Sequence, residues 1–199
     1  MSDPVWIPPE SRAMLLALAR AAVRRAAAGK SREPVDPLPD SPPILYEKGA
    51  TFVTLTQNGR LRGCIGTIEA QDPLWRAVWD AAWDAATGDP RFSPVRPDEA
   101  AALKIEISVL TPMREIPSWE EFVAGRDGIL ISAAGGRGVF LPKVAEEMGW
   151  TREQTLTALC KKAGLPPDAW KRPGMKFRTF GAEVFGEPDS SVVDGRPQR

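Results

Sequence analysis

Between residues 50 and 69 the chain reads ATFVTLTQNGRLRGCIGTIE, two runs rich in β-branched residues on either side of Asn58-Gly59. A two-residue type I′ turn needs positive φ at both central positions, and Asn-Gly supplies it, so the segment predicts an antiparallel hairpin. Such a hairpin commits the chain to a sheet on which the later elements must pack. The two-residue loop also predicts a register in which Gln57 faces Arg60, Leu55 faces Arg62 and Val53 faces Cys64. Arg62 and Cys64 then share one face with Val53, Leu55, Gly66 and Ile68, while Phe52, Leu61 and Ile65 take the other. Both faces are partly apolar, which calls for a sheet covered by helices on each side.

The rest of the chain supplies those helices and further strands. PPESRAMLLALARAAVRRAAAGK places Leu15, Leu18, Ala22 and Val23 on one side and stops at Gly29, an amphipathic helix over 10–29. Pro34, Pro37, Pro39, Pro42 and Pro43 then exclude helix and central strand, giving a stiff loop over 31–43. DPLWRAVWDAAWDAATG predicts a helix with Asp72 as N-cap, Pro73 at its first position and Gly88 at its end. Its Trp75, Trp79 and Trp83 recur every fourth residue in a stripe about 80° wide, which is expected to face the core. In LKIEISVL, Leu103, Ile105, Ile107 and Val109 alternate with Lys104, Glu106 and Ser108, the mark of a half-buried strand.

Further on, Ser118 is expected to cap a short helix through Val123, GILISAAGGRGVFLP to form a second hairpin around Gly135-Gly136, and KVAEEMGW to return to helix. Thr151 and Gln154 form a capping box for a helix that stops at Gly164. MKFRTFGAEVFGE alternates like a strand. Strands and helices mixed without βαβ regularity indicate an α+β fold with largely antiparallel sheets flanked by helices. One domain over 1–199 is expected, with its main body at 44–187 and a flexible tail at 188–199.

Composition narrows the chemistry. The chain has no histidine, which removes His-based triads, zincin sites and two-His-one-carboxylate iron sites. No metal and no cofactor of its own is expected, and any base must be Asp, Glu, Lys or a thiolate. Two cysteines, Cys64 and Cys160, are too few for a disulfide framework, and neither a signal peptide nor a membrane span is recognisable, so a cytoplasmic protein is expected. Lys plus Arg (26) balances Asp plus Glu (26), which argues against general nucleic-acid binding. Twenty prolines, about twice the average share, fit stiff loops and a heat-adapted source.

The blocks FVTL…GRLRGCIGT, DPRF, LKIEISVLTP, LPKVAEEMGW and KKAGL…W resemble, in order and spacing, the AMMECR domain family, whose prokaryotic members are called AmmeMemoRadiSam system protein A. The resemblance spans nearly the whole chain, and LRGCIG is its most specific signature. It implies an α+β fold with two unequal lobes around a cleft near LRGCIG. It also implies as partners a Memo-type protein and a radical S-adenosylmethionine protein. Lys143 stands where the family often has glutamine, and Asp127 where it often has histidine.

The candidate site gathers around LRGCIG. Cys64 has three readings: a small buried hydrophobe, a reactive thiol activated by Arg62, or a group lining a binding site without reacting. Gly63 and Gly66 leave room for a bulge or for the close approach of a ligand. Arg62 and Arg91, with Asp89 orienting Arg91, form a candidate bidentate grip on a carboxylate or phosphate, although Asp89-Pro90-Arg91-Phe92 also reads as a plain turn. Glu106 is the candidate carboxylate base, either solvent-exposed or paired with one of those arginines. Lys143 joins the ligand-binding candidates.

Lys161, Lys162, Lys171, Arg172, Lys176 and Arg178 make a basic zone that reads as a solvated face or, as a lesser alternative, an RNA contact. The leading expectation is a site for a small anionic ligand or modifiable group within a modification system. The alternative is a non-catalytic adaptor, which exposed Trp119, Trp150 or Trp170 would favour. A monomer or weak homodimer is expected.

Overall fold

The structure, a computed structural model, describes residues 7–34 and 41–187. The tail at 188–199 and the central prolines of the 31–43 loop fall outside the described residues. Among the described residues four helices and eight strands are formed: α1 (Pro9–Ala27), β1 (Ala50–Gln57), β2 (Arg60–Gly66), α2 (Leu74–Thr87), β3 (Lys104–Leu110), β4 (Arg114–Ile116), β5 (Gly128–Ala133), β6 (Gly136–Phe140), α3 (Pro142–Met148), α4 (Arg152–Lys162), β7 (Lys176–Phe180) and β8 (Ala182–Gly186). The strands make two four-stranded sheets, ordered β2-β1-β3-β8 and β4-β7-β5-β6. The class is α+β, as expected from the pattern. The described residues divide into two compact units, one of Ile7–Ser108 with 184–187, the other of Val109–Glu183. Among the described residues no helix is long and apolar enough to cross a membrane.

In the first unit, α2 lies on the β1-β2 hairpin and α1 packs chiefly on α2. The alanines of α2 make this possible, because Ala81, Ala82, Ala85 and Ala86 are all buried and small enough to let backbones approach closely. Trp79, at the middle of the tryptophan stripe, is fully buried, and its indole N–H donates to the Arg32 carbonyl at 3.0 Å. Trp75 and Trp83, on either side, are half-buried. The helix begins one residue later than expected. Pro73 is extended (ψ 141°), and the Asp72 carbonyl accepts from the Gly49 N–H at 3.1 Å. The side chain of Asp72 makes no cap. In the same unit Arg20 forms a bidentate ion pair with Glu187 and donates to the carbonyls of Ala100 (2.7 Å) and Leu103 (2.6 Å).

In the second unit every strand pairing is antiparallel. Leu156, Leu159 and Cys160 of α4 pack with Ile129, Ile131, Phe177, Phe122 and Trp170 into one buried cluster. The Thr151–Gln154 capping box is complete. The hairpin turn is Ala134-Gly135, one residue earlier than expected, with Gly135 at φ 100°. Ser118 caps a three-residue 3-10 turn, Trp119–Glu121, and no longer helix follows. The alternating run MKFRTFGAEVFGE, expected as one strand, is two: β7 joins one sheet and β8 the other. The break falls at Gly181, which exchanges hydrogen bonds with Thr111, donating to Oγ1 at 2.7 Å and accepting from the Thr111 N–H at 3.0 Å.

Candidate functional site

The hairpin turn is formed as the sequence dictates, with Asn58 at φ 51° and Gly59 at φ 74°. Gln57 faces Arg60 and Thr56 faces Leu61, but Leu55 then faces Gly63, Thr54 faces Cys64 and Val53 faces Ile65. Arg62 is therefore an extra residue, a β-bulge that corrects the expected register by one. Its cause is the packing of α2. A Cβ at Gly63 would lie 2.1 Å from the Ala85 carbonyl oxygen, so only glycine fits under the helix. Val53 and Leu55 are fully buried on the same face as Gly63. Cys64 is turned to the opposite face, beside Thr54.

Cys64 is half-buried, in contrast to Cys160, which is fully enclosed. Its Sγ accepts a hydrogen bond from Thr54 Oγ1 at 3.4 Å. Its backbone N–H donates to Asp89 Oδ2 at 2.9 Å, and its carbonyl accepts from Arg91 Nη2 at 3.4 Å. The Asp89 side chain is 2% exposed. It accepts from the Arg91 N–H (3.1 Å), Nε (2.9 Å) and Nη2 (2.7 Å). The Arg91 guanidinium, helped by the backbone N–H groups of Cys64 and Arg91, holds the Asp89 carboxyl well below the usual carboxylate range. The side-chain hydrogen bonds to Asp89, with attraction to that carboxylate, raise the Arg91 pKa.

The two arginines have different employment. Arg62 is 13% exposed, and it donates to the Ser93 carbonyl at 2.9 Å and from Nη2 to Glu99 Oε2 at 3.2 Å. Glu99 also accepts the Arg96 N–H at 2.9 Å, and these two bonds lower its pKa, the backbone one most. Arg91 is 54% exposed. Its Nη1 has no hydrogen-bond partner among the described residues. Both guanidinium groups lie against Phe92, at 6.0 Å for Arg62 and 5.5 Å for Arg91. The expected pair of arginines thus shares one aromatic ring, and Arg91 alone retains an open donor.

Of the remaining candidates, Gly66 is closed by β1: a Cβ there would lie 2.1 Å from the Thr51 carbonyl oxygen and 2.6 Å from the Phe52 ring. Glu106 is half-buried on β3, in the row of Lys104 and Ser108, while Arg62 and Arg91 take Glu99 and Asp89 as their carboxylate partners. Lys143 belongs to the other unit, at the second position of α3. No group of three or more Cys, Asp or Glu among the described residues is placed to hold a metal ion. Sequence reasoning missed Thr54 and Glu99. The bulge hid Thr54, whereas the Arg96-to-Glu99 spacing, a side chain returning to the backbone N–H three residues before it, is a signal that marks Glu99.

The family model described as AMMECR1 matches residues 16–185. A protein of Methanothermobacter thermautotrophicus is 41% identical over 180 residues, covering 87% of this chain and 92% of that protein. One from Thermococcus gammatolerans is 41% identical over 183 residues, covering 87% and 88%. The crystal structure of an uncharacterized protein from Pyrococcus horikoshii has a TM-score of 0.80 and 39% identity, covering 87% of this chain and 90% of that one.

Proposed function

The chain belongs to the AMMECR1 family, and on that premise we propose that it is a cytoplasmic protein that binds a small anionic ligand or modifiable group beside Cys64. It does so as one component of a modification system with a Memo-type protein and a radical S-adenosylmethionine protein. The observation that carries this reading is the half-exposed Arg91, whose Nη1 has no partner among the described residues, fixed next to the half-buried Cys64. A carboxylate or phosphate oxygen docking on Nη1 gains a charge-assisted hydrogen bond from a guanidinium whose orientation Asp89 has already fixed, so little ordering entropy remains to be lost. Arg91 is the anion-binding residue, Asp89 its positioning residue, and Thr54 orients the thiol.

A direct test titrates inorganic phosphate and acetate into the protein while the Cys64 and Arg91 backbone amide resonances are followed. Saturable shifts that vanish in Arg91→Ala and persist in Arg62→Ala are expected; shifts that survive Arg91→Ala sink the anion site. The partner component is tested separately, by co-expression with the two partner proteins and comparison of wild type, Cys64→Ala and Arg91→Ala for product and for complex assembly. Full product formation by Cys64→Ala removes any reactive role for the thiol. The adaptor reading draws on fewer aromatics than expected, since Trp170 is buried and Trp119 packs edge-on against it at 4.8 Å.

A further inference from the structure

The second unit contains a cleft of about 400 Å³ that the site around Cys64 does not use, lined by Ala124, Gly125, Ala145, Glu146, Gly149 and Trp150. It is open to solvent over most of its extent, a shape that suits a side chain laid on the surface more than an enclosed small molecule. Two of its lining residues hold backbone conformations that favour glycine. Gly125 (φ 83°) and Gly149 (φ 62°) are both left-handed, and a Cβ at Gly125 would come within 3.9 Å of Glu146 Cβ. The Trp150 indole is half-buried, and Phe140 supports it at 6.0 Å between ring centroids. Glu146 is exposed and forms no ion pair among the described residues. Two of the large exposed hydrophobic side chains, Val123 (37%) and Met148 (56%), are chain neighbours of cleft residues.

An indole wall and a single carboxylate, with exposed apolar residues next to them in the chain, complement a cation on an aliphatic stem: the stem lies on the apolar surface, the charge meets the carboxylate, and the ring adds cation–π attraction. We infer that this cleft receives an arginine or lysine side chain of a partner polypeptide, with the guanidinium or ammonium on Glu146, the stem against Trp150, and the neighbouring peptide residues on Val123 and Met148. A partner segment is the occupant because a free cation would leave the exposed Val123 and Met148 uncovered.

The test is NMR of the ¹⁵N-labelled full chain, with the Trp150 indole resonance identified by its absence in Trp150→Phe. The probes are the pentapeptide acetyl-Ala-Ala-Arg-Ala-Ala-amide, its lysine and norleucine counterparts, and acetyl-arginine-methylamide. Saturable shifts of the Trp150 indole are expected with the arginine and lysine peptides, at an affinity about fivefold lower in Glu146→Gln. Glu146→Gln changes an exposed side chain, so its fold is checked by an otherwise unchanged spectrum. No shift, equal binding of the norleucine peptide, or unchanged affinity in Glu146→Gln overturns the basic-side-chain assignment. If acetyl-arginine-methylamide binds as tightly as the arginine peptide, the partner polypeptide is overturned as occupant. Arg91→Ala leaves every one of these readings unchanged, so they are independent of the anion site.

Discussion

The backbone N–H of Cys64 donates to Asp89 Oδ2 at 2.9 Å across 25 residues of sequence. The thiol is therefore positioned by a buried carboxylate that follows α2, and that carboxylate also fixes Arg91. One side chain sets the geometry of both members of the candidate site.

Replacing Asp89 with asparagine removes the charge that receives three donors of Arg91 and the Cys64 N–H. The expected loss is about 2–3 kcal/mol by urea denaturation near neutral pH, below the roughly 3–5 kcal/mol of fully buried pairs because Arg91 is half-exposed.

The acid side carries the sign of this interaction. The folded-state pKa of Asp89 is depressed, so its stabilisation is present above the unfolded value of about 3.9 and is lost as pH falls below it. The stability difference between wild type and Asp89→Asn is expected to stay constant above about pH 5 and to shrink as pH falls toward about 2. A difference that is flat throughout contradicts a charged Asp89.

The two thiols should separate cleanly in modification experiments. Cys64 is half-buried, while Cys160 is fully enclosed and burial pushes its pKa up. Iodoacetamide at about pH 8 is expected to label Cys64 in the folded protein and Cys160 only after denaturation, as read by peptide mass spectrometry. Arg91→Ala is expected to slow the Cys64 reaction without exposing Cys160.

Gly63→Ala places a methyl group where the Ala85 carbonyl oxygen already sits, 2.1 Å away. Either α2 or the bulge has to move, at a cost of about 3 kcal/mol, the upper end for an overpacked site. The readout is the denaturation midpoint together with displaced amide resonances of Ala85 and Arg62.

Glu187→Gln leaves Arg20 with its two carbonyl acceptors but without its counter-ion. A loss of about 2 kcal/mol is expected for this half-buried pair, corresponding to a melting temperature lower by about 4–8 °C in a chain of this size.

Sequence alone determined the features whose hydrogen bonds close within a few residues. The Asn58-Gly59 turn, the Thr151–Gln154 capping box and the left-handed glycines at 29 and 164 are all present as read, and β3 alternates from Lys104 to Ile107 but is buried on both faces from Ser108 on. Each depends on local backbone preference or on a fixed period of side-chain direction, and both are written in consecutive residues. The α+β class follows from their sum. The family was legible for a different reason, because LRGCIG is rare enough to be recognised without any geometry.

Tertiary structure decided what those elements do to one another. The bulge at Arg62 exists because Ala85, 22 positions beyond Gly63, needs the space a side chain would fill, and no local pattern in RLRGCIG encodes that demand. One inserted residue then changes the partner of Cys64 from Val53 to Thr54 and turns its thiol away from the α2 face. The same holds for Arg62, taken up by Glu99, and for the run through Gly181, which local alternation makes one strand and Thr111 divides between two sheets. Side-chain alternation has a period of two, so a single contact distant in sequence is enough to invert it.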